Sequence, residues 1–437
     1  MANPRLDKTP DGEGHEPSSS PQQDAWRSSY RDVMAIGEFR AVWLAHALSM
    51  IGGNLLNIAT SILVFQLTDS PLAAGITIAV TFLPPIIAGP LLSGLADLFP
   101  RRQVMVVCDL LRAALIVSIG IPGMPVWAIW TLLFCSVLPS LPFAAARAAM
   151  LTEIVQGERY VASTAIIQLT AQIGMLLGLV AGGVIVALVG PHITVMSNGA
   201  VFVMTALIVL FGVKARPAPA REEQGEGGGG FLTMAGGGAK LVFGDSKLRT
   251  LALMAWLAGL YMVPYGLANP LAAEAGGGEA AAGLIMAGTP IGAFVGGLIL
   301  TRLVPPPTRI RLLGPLAVMT SVPLLIWLFQ PPLWLMVTAL ALCGAAGSYQ
   351  FVANAAFVLC VPKEGRALAF GLVAAGLQAA QGLGILAAGF FAEFFGTGAV
   401  VVSAGVLGIT CAVLLTLPWS RMSHEVTRKM EESEAAA

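Results

Sequence analysis

The sequence predicts an all-α membrane protein in which twelve transmembrane helices form two pseudo-symmetric six-helix bundles. Its composition, the placement of its basic residues and an internal repeat support this prediction. Of the 437 residues, 56% are hydrophobic and only 11% are charged, whereas soluble domains carry about 25% charged residues. More than half of the charges lie near the termini and in a middle segment. The remaining stretches suit a bilayer core, which excludes an ordinary soluble enzyme, a nucleic-acid-binding protein and a disordered scaffold.

Apolar runs that end at turn residues or charges predict the twelve helices in order. The predicted ranges are 40–67, 72–95, 104–120, 126–148, 161–188, 193–213, 249–271, 280–302, 310–329, 333–358, 367–393 and 398–417. Internal prolines such as Pro139 and Pro264 are compatible with membrane helices where neighbouring helices satisfy the backbone groups that proline leaves free. The five cysteines fall in or beside apolar segments, so they are interpreted as small buried residues rather than disulfide partners.

Basic residues alternate between the two sides of this layout. Lys or Arg residues precede helix 1 and follow every even-numbered helix. The other loops, near Asp69, Gly123, Pro191, Glu274, Pro331 and Gly396, contain neither residue. Because loops rich in Lys and Arg stay on the cytoplasmic side, both termini and the middle segment are predicted to be cytoplasmic. This arrangement requires an even number of membrane spans.

The chain divides into two bundles joined by a linker. Residues 1–37 form a polar cytoplasmic tail without a cleavable signal pattern, and 38–213 form the N-terminal bundle. Residues 214–248 have the Gly-rich composition of a linker, 249–417 form the C-terminal bundle, and 418–437 form a second cytoplasmic tail. Helix 5 matches helix 11 at a constant spacing of 206 residues, pairing Gln172, Gly178, Gly182 and Gly183 with Gln378, Gly384, Ala388 and Gly389. Duplicated bundles are typical of transporters, whose substrate site lies between the halves.

The junction of helices 2 and 3 carries a loop motif. It reads Gly94-Leu-Ala-Asp97-Leu-Phe-Pro-Arg101-Arg102, followed by Asp109 and Arg112. This spacing resembles the signature loop of the major facilitator superfamily, which usually has Gly where Pro100 stands. The resemblance implies the twelve-helix fold of that family and a gating role for the loop. Gly94 would let helices approach, Asp97 would cap a helix or pair with a cation in the state closed to the cytoplasm, and the arginines would anchor the loop at the membrane.

Further motifs resemble the drug- and siderophore-exporting branch of that superfamily. They are Phe39-Arg40-Ala-Val-Trp43, Phe65-Gln-Leu-Thr-Asp-Ser-Pro71 and Asp109-Leu-Leu-Arg112-Ala. Helix 5 is similar to the antiporter motif of such exporters, with Gly174, Gly178, Gly182 and Gly183 in place and Leu179 where the motif has Pro. The alternative for these glycines is a general small-residue contact between helices.

Polar side chains inside the predicted helices are candidates for a substrate cavity, because they are costly in lipid. On helix 1, a wedge of about 80° contains His46, Met50, Asn54, Asn57 and Ser61. The other cavity candidates are Ser136, Ser140, Arg147, Gln168, Gln172, Tyr261, Tyr265, Asn269, Tyr349, Gln350, Asn354, Gln378 and Gln381. The alternative for the helix 1 stripe is hydrogen bonding between helices. For Arg147, snorkelling to the interface is the favoured interpretation, and a position on the cavity is the alternative. Asp109 and Arg112 are interpreted as a structural or gating ion pair, with substrate contact as the alternative.

The resemblance implies a secondary active transporter that exports a hydrophobic or amphiphilic small molecule in exchange for protons. Import of a nutrient or lipid is the alternative, and a membrane-embedded enzyme or a sensor is more remote. Exporters of this kind often carry an acidic residue near the positions of Gly53 and Asn54, and this chain has none there. No phosphate-binding loop is present and the four histidines are scattered, so no cofactor or metal is expected. We expect a monomer in a bacterial cytoplasmic membrane, with no nucleic-acid partner.

Overall fold

The structure, a computed structural model, describes residues 31–86, 99–155, 158–216, 231–362 and 366–435. The described chain is helical and contains no β-strand. The first half consists of α1 (Gly37–Thr68), α2 (Pro71–Ile86), α3 (Arg101–Ile119), α4 (Val126–Ile154), α5 (Glu158–Val189) and α6 (Pro191–Gly212). The second half begins with α7, which comprises Ser246–Gly266 and Ala268–Glu274, and α8 (Glu279–Leu303). It continues with α9 (Thr308–Phe329), α10 (Leu333–Val358), α11 (Arg366–Phe395) and α12 (Thr397–Ala435).

Ten of these helices are long and apolar enough to cross a bilayer within the described part of the chain. The two others are α2 and α3. The predicted second part of α2, residues 87–95, lies outside the described residues. Helix α3 carries Arg101, Arg102, Asp109 and Arg112 within 12 residues of each other. The predicted all-helical membrane fold is therefore confirmed, with helix boundaries that mostly shift by a few residues.

Two segments are more ordered than their composition indicated. Within the predicted linker, Phe231–Gly244 is a helix in which Val242 is fully buried. A Cβ atom on Gly238 would lie 2.8 Å from the Leu368 carbonyl oxygen, so this helix packs closely on α11. At the C-terminus, α12 continues past the predicted end of the bundle at 417, and the Trp419 indole donates a hydrogen bond to the Ile310 carbonyl at 3.3 Å.

The two halves repeat the same packing. In the first half, α5 lies against α1, where a Cβ atom on Gly178 would come within 2.6 Å of the Ile51 carbonyl oxygen. In the second half, Gly384 of α11 lies in the same way against the backbone of Gly259 in α7. Since Gly384 is the counterpart of Gly178 in the internal repeat, the fifth helix of each half packs against the first helix of that half through the same glycine position. Glycine permits these backbone approaches because it has no Cβ atom.

The halves contact each other at one end of the molecule. We call the end where residues 214–248 connect the halves the linker end, and the other end the opposite end. At the opposite end α2 packs on α11, and α5 packs on α8. Four hydrogen bonds also cross between the halves there, joining Gln66 with Glu279, Ser70 and Leu72 with Glu393, and Asn269 with Ser61. The described helices therefore form a closed seam at the opposite end.

Candidate functional site: a cavity between the two halves

A cavity of about 520 Å³ lies between the two halves, on the linker side of this seam. Eight of the predicted cavity residues line it, together with Arg112. They are Met50, Asn54, Asn57, Ser136, Ser140, Tyr265, Gln378 and Gln381. The wall also includes residues that sequence reasoning did not single out, namely Ser49, Thr81, Phe82, Met175 and Met262. Volumes of about 300–1,000 Å³ are usual for small-molecule sites, so the cavity can hold a drug-sized ligand.

The polar stripe on α1 is divided between the cavity and the seam. Asn54 and Asn57 line the cavity, and the Asn54 amide donates to the Met50 carbonyl at 2.8 Å. Ser61, one turn further along, is fully buried and accepts a hydrogen bond from the Asn269 amide at 2.7 Å. The structure thus places Ser61 and Asn269 in the seam rather than on the cavity wall. The reason is that α1 meets α7 at that depth, so polar groups there pair with each other.

Helix α7 reaches the cavity through a broken stretch. Its hydrogen-bonded segments are interrupted at Leu257, Met262 and Leu267, on either side of Pro264, which has no N–H to donate. Met262 and Tyr265 lie at this break and line the cavity. The broken stretch of α7 therefore forms part of the cavity wall.

The ion pair on α3 lies beside the cavity. The Asp109 side chain is fully buried, and its Oδ1 atom lies 3.7 Å from Nη1 of Arg112. Its other oxygen accepts a hydrogen bond from Thr205 at 2.7 Å. Arg112 itself donates to Ser49 Oγ at 3.1 Å and stacks over the Phe202 ring, 4.0 Å from its centre. Because Arg112 also lines the cavity, a ligand there would meet the guanidinium group of a buried pair.

Four other candidates in the second half lie outside the main cavity. Tyr349 is buried and donates a hydrogen bond to the Met254 carbonyl at 2.5 Å. Tyr261 is also buried and accepts a hydrogen bond from the Gln350 amide. Both tyrosines therefore stabilise the packing of α7 on α10 instead of facing the cavity. Gln350 and Asn354 line a smaller cavity of about 280 Å³ between α7, α10 and α11.

The remaining candidates lie outside the cavity wall, closer to the linker end. Gln168 and Gln172 are exposed and precede Met175, a cavity residue, by seven and three positions on α5, which places them on its face of the helix. His46 is one turn before Met50 on α1, and Arg147 is two turns after Ser140 on α4. His46 is only 3% exposed and is not part of the cavity wall.

The arginines of the signature loop contact protein groups at the linker end. Arg101 forms an ion pair with Glu153 and donates to the Ala149 carbonyl at 3.0 Å, which ties α3 to α4. Arg102 donates to the Leu210 carbonyl on α6. These contacts give the arginines a packing role that the prediction of membrane anchoring did not include. Gly94 and Asp97 lie outside the described residues.

Sequence reasoning missed the acidic partners of this region. Glu38 accepts hydrogen bonds from Arg216 at 2.7 Å and from the Lys214 backbone at 2.8 Å. Glu153 also lies 3.6 Å from Arg216. The signal in the sequence was the position of two isolated acidic residues at the ends of helices 1 and 4, beside otherwise basic loops. The cluster connects α1, α3, α4 and the start of the linker.

The antiporter-like glycines form helix contacts. Cβ atoms on Gly174 and Gly178 would lie 2.9 Å from Met50 Cβ and 2.8 Å from Asn54 Cβ, and Gly182 approaches the backbone of Leu55 on the same helix. Gly183 instead faces the other half, where a Cβ atom would lie 3.0 Å from Gly283 Cα. These glycines thus seat α1 and place its cavity residues, and the last of them belongs to the seam.

Two duplicated helical halves around a polar cavity, sealed at one end, define a membrane transporter. Residues 42–268 and 251–436 match the family model described as Major Facilitator Superfamily. The chain belongs to this superfamily, and it is a transporter rather than an enzyme. Membership implies a small-molecule substrate and embedding in a membrane.

Solved structures of other transporters share the fold. The nucleoside transporter NupG is 14% identical, with 87% of this chain and 98% of that chain covered and a TM-score of 0.68. A POT family transporter in complex with 5-aminolevulinic acid is 10% identical, with coverages of 89% and 96% and a TM-score of 0.69. A bacterial homologue of the human lysosomal transporter Spinster, in an inward-facing and unoccupied conformation, is 15% identical, with coverages of 95% and 99% and a TM-score of 0.59. No curated protein matches the sequence.

Proposed function

We propose that this transporter exports a hydrophobic or amphiphilic small molecule in exchange for protons, by alternating access. The observation that carries the proposal is the cavity between the halves, which lies on the linker side of a closed seam. In alternating access, two repeats rock around a fixed midplane site. A seam at one end and a cavity beside it are what one state of that cycle requires.

The basic residues indicate how the protein is oriented in the membrane. Lys and Arg cluster in the loops of the linker end, and such loops stay in the cytoplasm. We therefore assign the linker end and both termini to the cytoplasm of a bacterial cell, with the protein in the cytoplasmic membrane. In that orientation the seam faces outward, and the described state would take up cargo from the cytoplasm or from the inner leaflet.

The composition of the cavity wall supports an amphiphilic cargo. Met50, Met175 and Met262 provide flexible apolar surface that adapts to different shapes. Asn54, Asn57, Ser136, Ser140, Gln378 and Gln381 provide uncharged hydrogen-bonding groups on the same wall. Gln168, Gln172, Gln350 and Asn354 would form the polar approach from the cytoplasm. Such a surface suits a bulky molecule with a few polar groups better than a small, highly charged one.

Proton coupling needs a titratable group whose partners change between the two states. Asp109 is our candidate for this group, because it is buried beside the cavity and paired with the cavity residue Arg112. Protonation of Asp109 would release Arg112 to a ligand, whereas loss of the proton would restore the pair. We assign Asp109 this role in the absence of an acidic residue on α1 near Asn54.

The direction of transport is tested with inside-out membrane vesicles that contain the full chain. An imposed pH gradient, acidic inside, is expected to drive accumulation of fluorescent dansyl compounds in the vesicles. The panel contains dansylglycine, dansylglycinamide and N-dansylethylenediamine, which are anionic, neutral and cationic. Vesicles without the protein are the control. Movement only in right-side-out vesicles would indicate an importer, and movement of none of the three compounds would contradict the proposal.

The signature loop provides a second test. Asp97→Asn is expected to reduce transport about tenfold or more, while membrane insertion and folding stay unchanged, because Asp97 would act only in the state closed to the cytoplasm. A gating interaction of 1–3 kcal/mol corresponds to a change of about 5- to 150-fold. Asp69→Asn, in the turn at the opposite end where the backbone has a φ of 51° that Asn also accepts, is the matched control. Full transport by Asp97→Asn would remove the gating role.

A further inference from the structure

The polar bonds of the seam depend on carboxylates. Of the four hydrogen bonds that cross between the halves there, three end on glutamate oxygens. The Gln66 amide donates to Glu279 at 2.9 Å. The Ser70 hydroxyl and the Leu72 backbone N–H both donate to one oxygen of Glu393, the latter at 3.2 Å. Both glutamates belong to the second half and all three donors to the first, so the two side chains bridge the halves.

Glu393 bonds to the start of α2. Ser70 is the N-cap residue of this helix, and Leu72 is its second residue. The first N–H groups of a helix have no partner within it, and a negative charge is favourable beside them. Gly389, one turn before Glu393 on α11, allows the close approach, since a Cβ atom there would lie 3.1 Å from Leu72 Cα. A carboxylate of one half therefore occupies the N-terminus of a helix of the other half.

The opposite end carries acidic residues but no Lys or Arg. Its loops lie within the described residues, and neither residue type occurs in them. Besides the two bridging glutamates, the titratable side chains at this end are Asp69, His192 and Glu274. Asp69 is exposed in the turn before α2. His192 donates to the Gly120 carbonyl at 3.1 Å and Glu274 accepts from Thr397, so each of these two bonds lies within one half. These three groups therefore do not join the halves in the described chain.

We propose that Glu279 and Glu393 form an acid-sensitive latch, which holds the seam closed when both are ionised and releases it when they are protonated. Hydrogen bonds to an ionised carboxylate are roughly twice as strong as neutral ones, and a protonated Glu393 also loses its favourable charge at the α2 N-terminus. The closed seam therefore favours the ionised form, and by linkage protonation favours the open seam. The minor state of a two-state protein is often populated at about 0.1–10%, so the loss of a few exposed bonds changes this population measurably.

The latch goes beyond the proposed export function, because it acts in either direction of transport. In the proposed orientation, the opposite end faces the outside of the cell, from which a proton exchanger takes up its protons. Acid on that side would open the seam towards it. The latch thus controls which side is open, and it is distinct from the proposed proton-carrying group, Asp109, which is paired with the cavity residue Arg112.

The test measures the distance between the halves in the full chain, reconstituted in nanodiscs. Spin labels on Ile121→Cys and Leu328→Cys, exposed positions of the two halves at the opposite end, are introduced after the five native cysteines are replaced. Lowering the pH from about 7.5 to about 4, across the ordinary glutamate pKa of about 4.3, is expected to raise the fraction of long distances several-fold. The double variant Glu279→Gln with Glu393→Gln has no charge to lose. It should show the raised fraction at neutral pH and change no further in acid.

Two control variants test whether the response belongs to the latch. Glu274→Gln and His192→Gln remove the titratable groups that bond within one half, and both should keep the native response to acid. A distance distribution of the native chain that does not change with pH would overturn the latch. So would an acid response of native size in the double variant. Melting temperatures and elution profiles show whether each variant is folded.

The outcomes separate this inference from the proposed function. If the seam opens in acid through the two glutamates but none of the dansyl compounds moves in vesicles, the latch stands and the export proposal fails. If the compounds move in inside-out vesicles while the seam ignores pH, the export proposal stands and the latch is wrong.

Discussion

Arg112→Met is expected to leave little folded protein in the membrane, because it removes the cation that faces a fully buried carboxylate. Asp109 has no exposed surface, and Arg112 provides its neighbouring positive charge at 3.7 Å. The remaining hydrogen bond, from Thr205 at 2.7 Å, satisfies one oxygen only. Breaking a buried ion pair by removing one partner costs about 3–5 kcal/mol, which is a large part of the roughly 5–15 kcal/mol by which folded proteins are stable.

The measurement compares the yield of monodisperse protein and its melting temperature in the native chain, Arg112→Met, and the double variant Asp109→Asn with Arg112→Met. The double variant should recover most of the loss, since it buries no unpaired charge. It should not show accumulation driven by a pH gradient, because the proposed proton-carrying group is gone. Arg302→Met, at an exposed position, is the control for loss of an arginine. Equal instability of the single and double variants would show that the charge pair is not the cause.

Most of the fold could be predicted from the sequence, because hydrophobic runs and basic loops report directly on the bilayer. The helix Phe231–Gly244 is an exception. Its four glycines give it the average composition of a linker, whereas its stability comes from packing, with Val242 buried and Gly238 against the backbone of α11. Such contacts involve residues more than 100 positions away in the chain, so the composition of the segment itself does not reveal them. The extension of α12 to Ala435 was not predicted for the same reason, since the Trp419 indole bonds to the distant Ile310 carbonyl.

The sequence predicted which helix faces carry the candidate site, but not which positions along those helices reach the cavity. Helical spacing correctly grouped Asn54, Asn57 and Ser61 on one face, and the first two line the cavity. Ser61 does not, because the halves meet at its level and Asn269 bonds to it. The tilt between two bundles is a property of the assembled fold, and periodicity within one helix does not contain it. In the same way, no spacing rule connects Arg101 with Glu153, whose ion pair joins two helices.

Gly283→Leu is expected to open the seam at the opposite end and to reduce transport about 10- to 100-fold. A Cβ atom on Gly283 would lie 2.8 Å from the Leu179 carbonyl oxygen and 3.1 Å from Gly183 Cα. Both of these atoms belong to the backbone of α5, so they cannot move aside as a flexible side chain would. Inserting extra carbon atoms into a well-packed contact costs about 1–3 kcal/mol, and each 1.4 kcal/mol is a factor of ten in an equilibrium. The seam would be destabilised by this amount, while the rest of each half keeps its packing.

Spin labels on Ile121→Cys and Ala273→Cys, exposed positions of the two halves at the opposite end, measure the seam after the five native cysteines are replaced. Gly283→Leu should shift the distance distribution between the labels to longer values. Gly371→Leu is the matched control, because the space around its Cβ position is open within 4 Å in the described chain, and it should keep the native distribution. Since the same backbone contact closes one state of the proposed cycle, the shift in distance and the loss of transport should occur together. A longer distance with full transport would show that the α5–α8 contact is dispensable for the cycle, and an unchanged distance would show that the seam accommodates leucine.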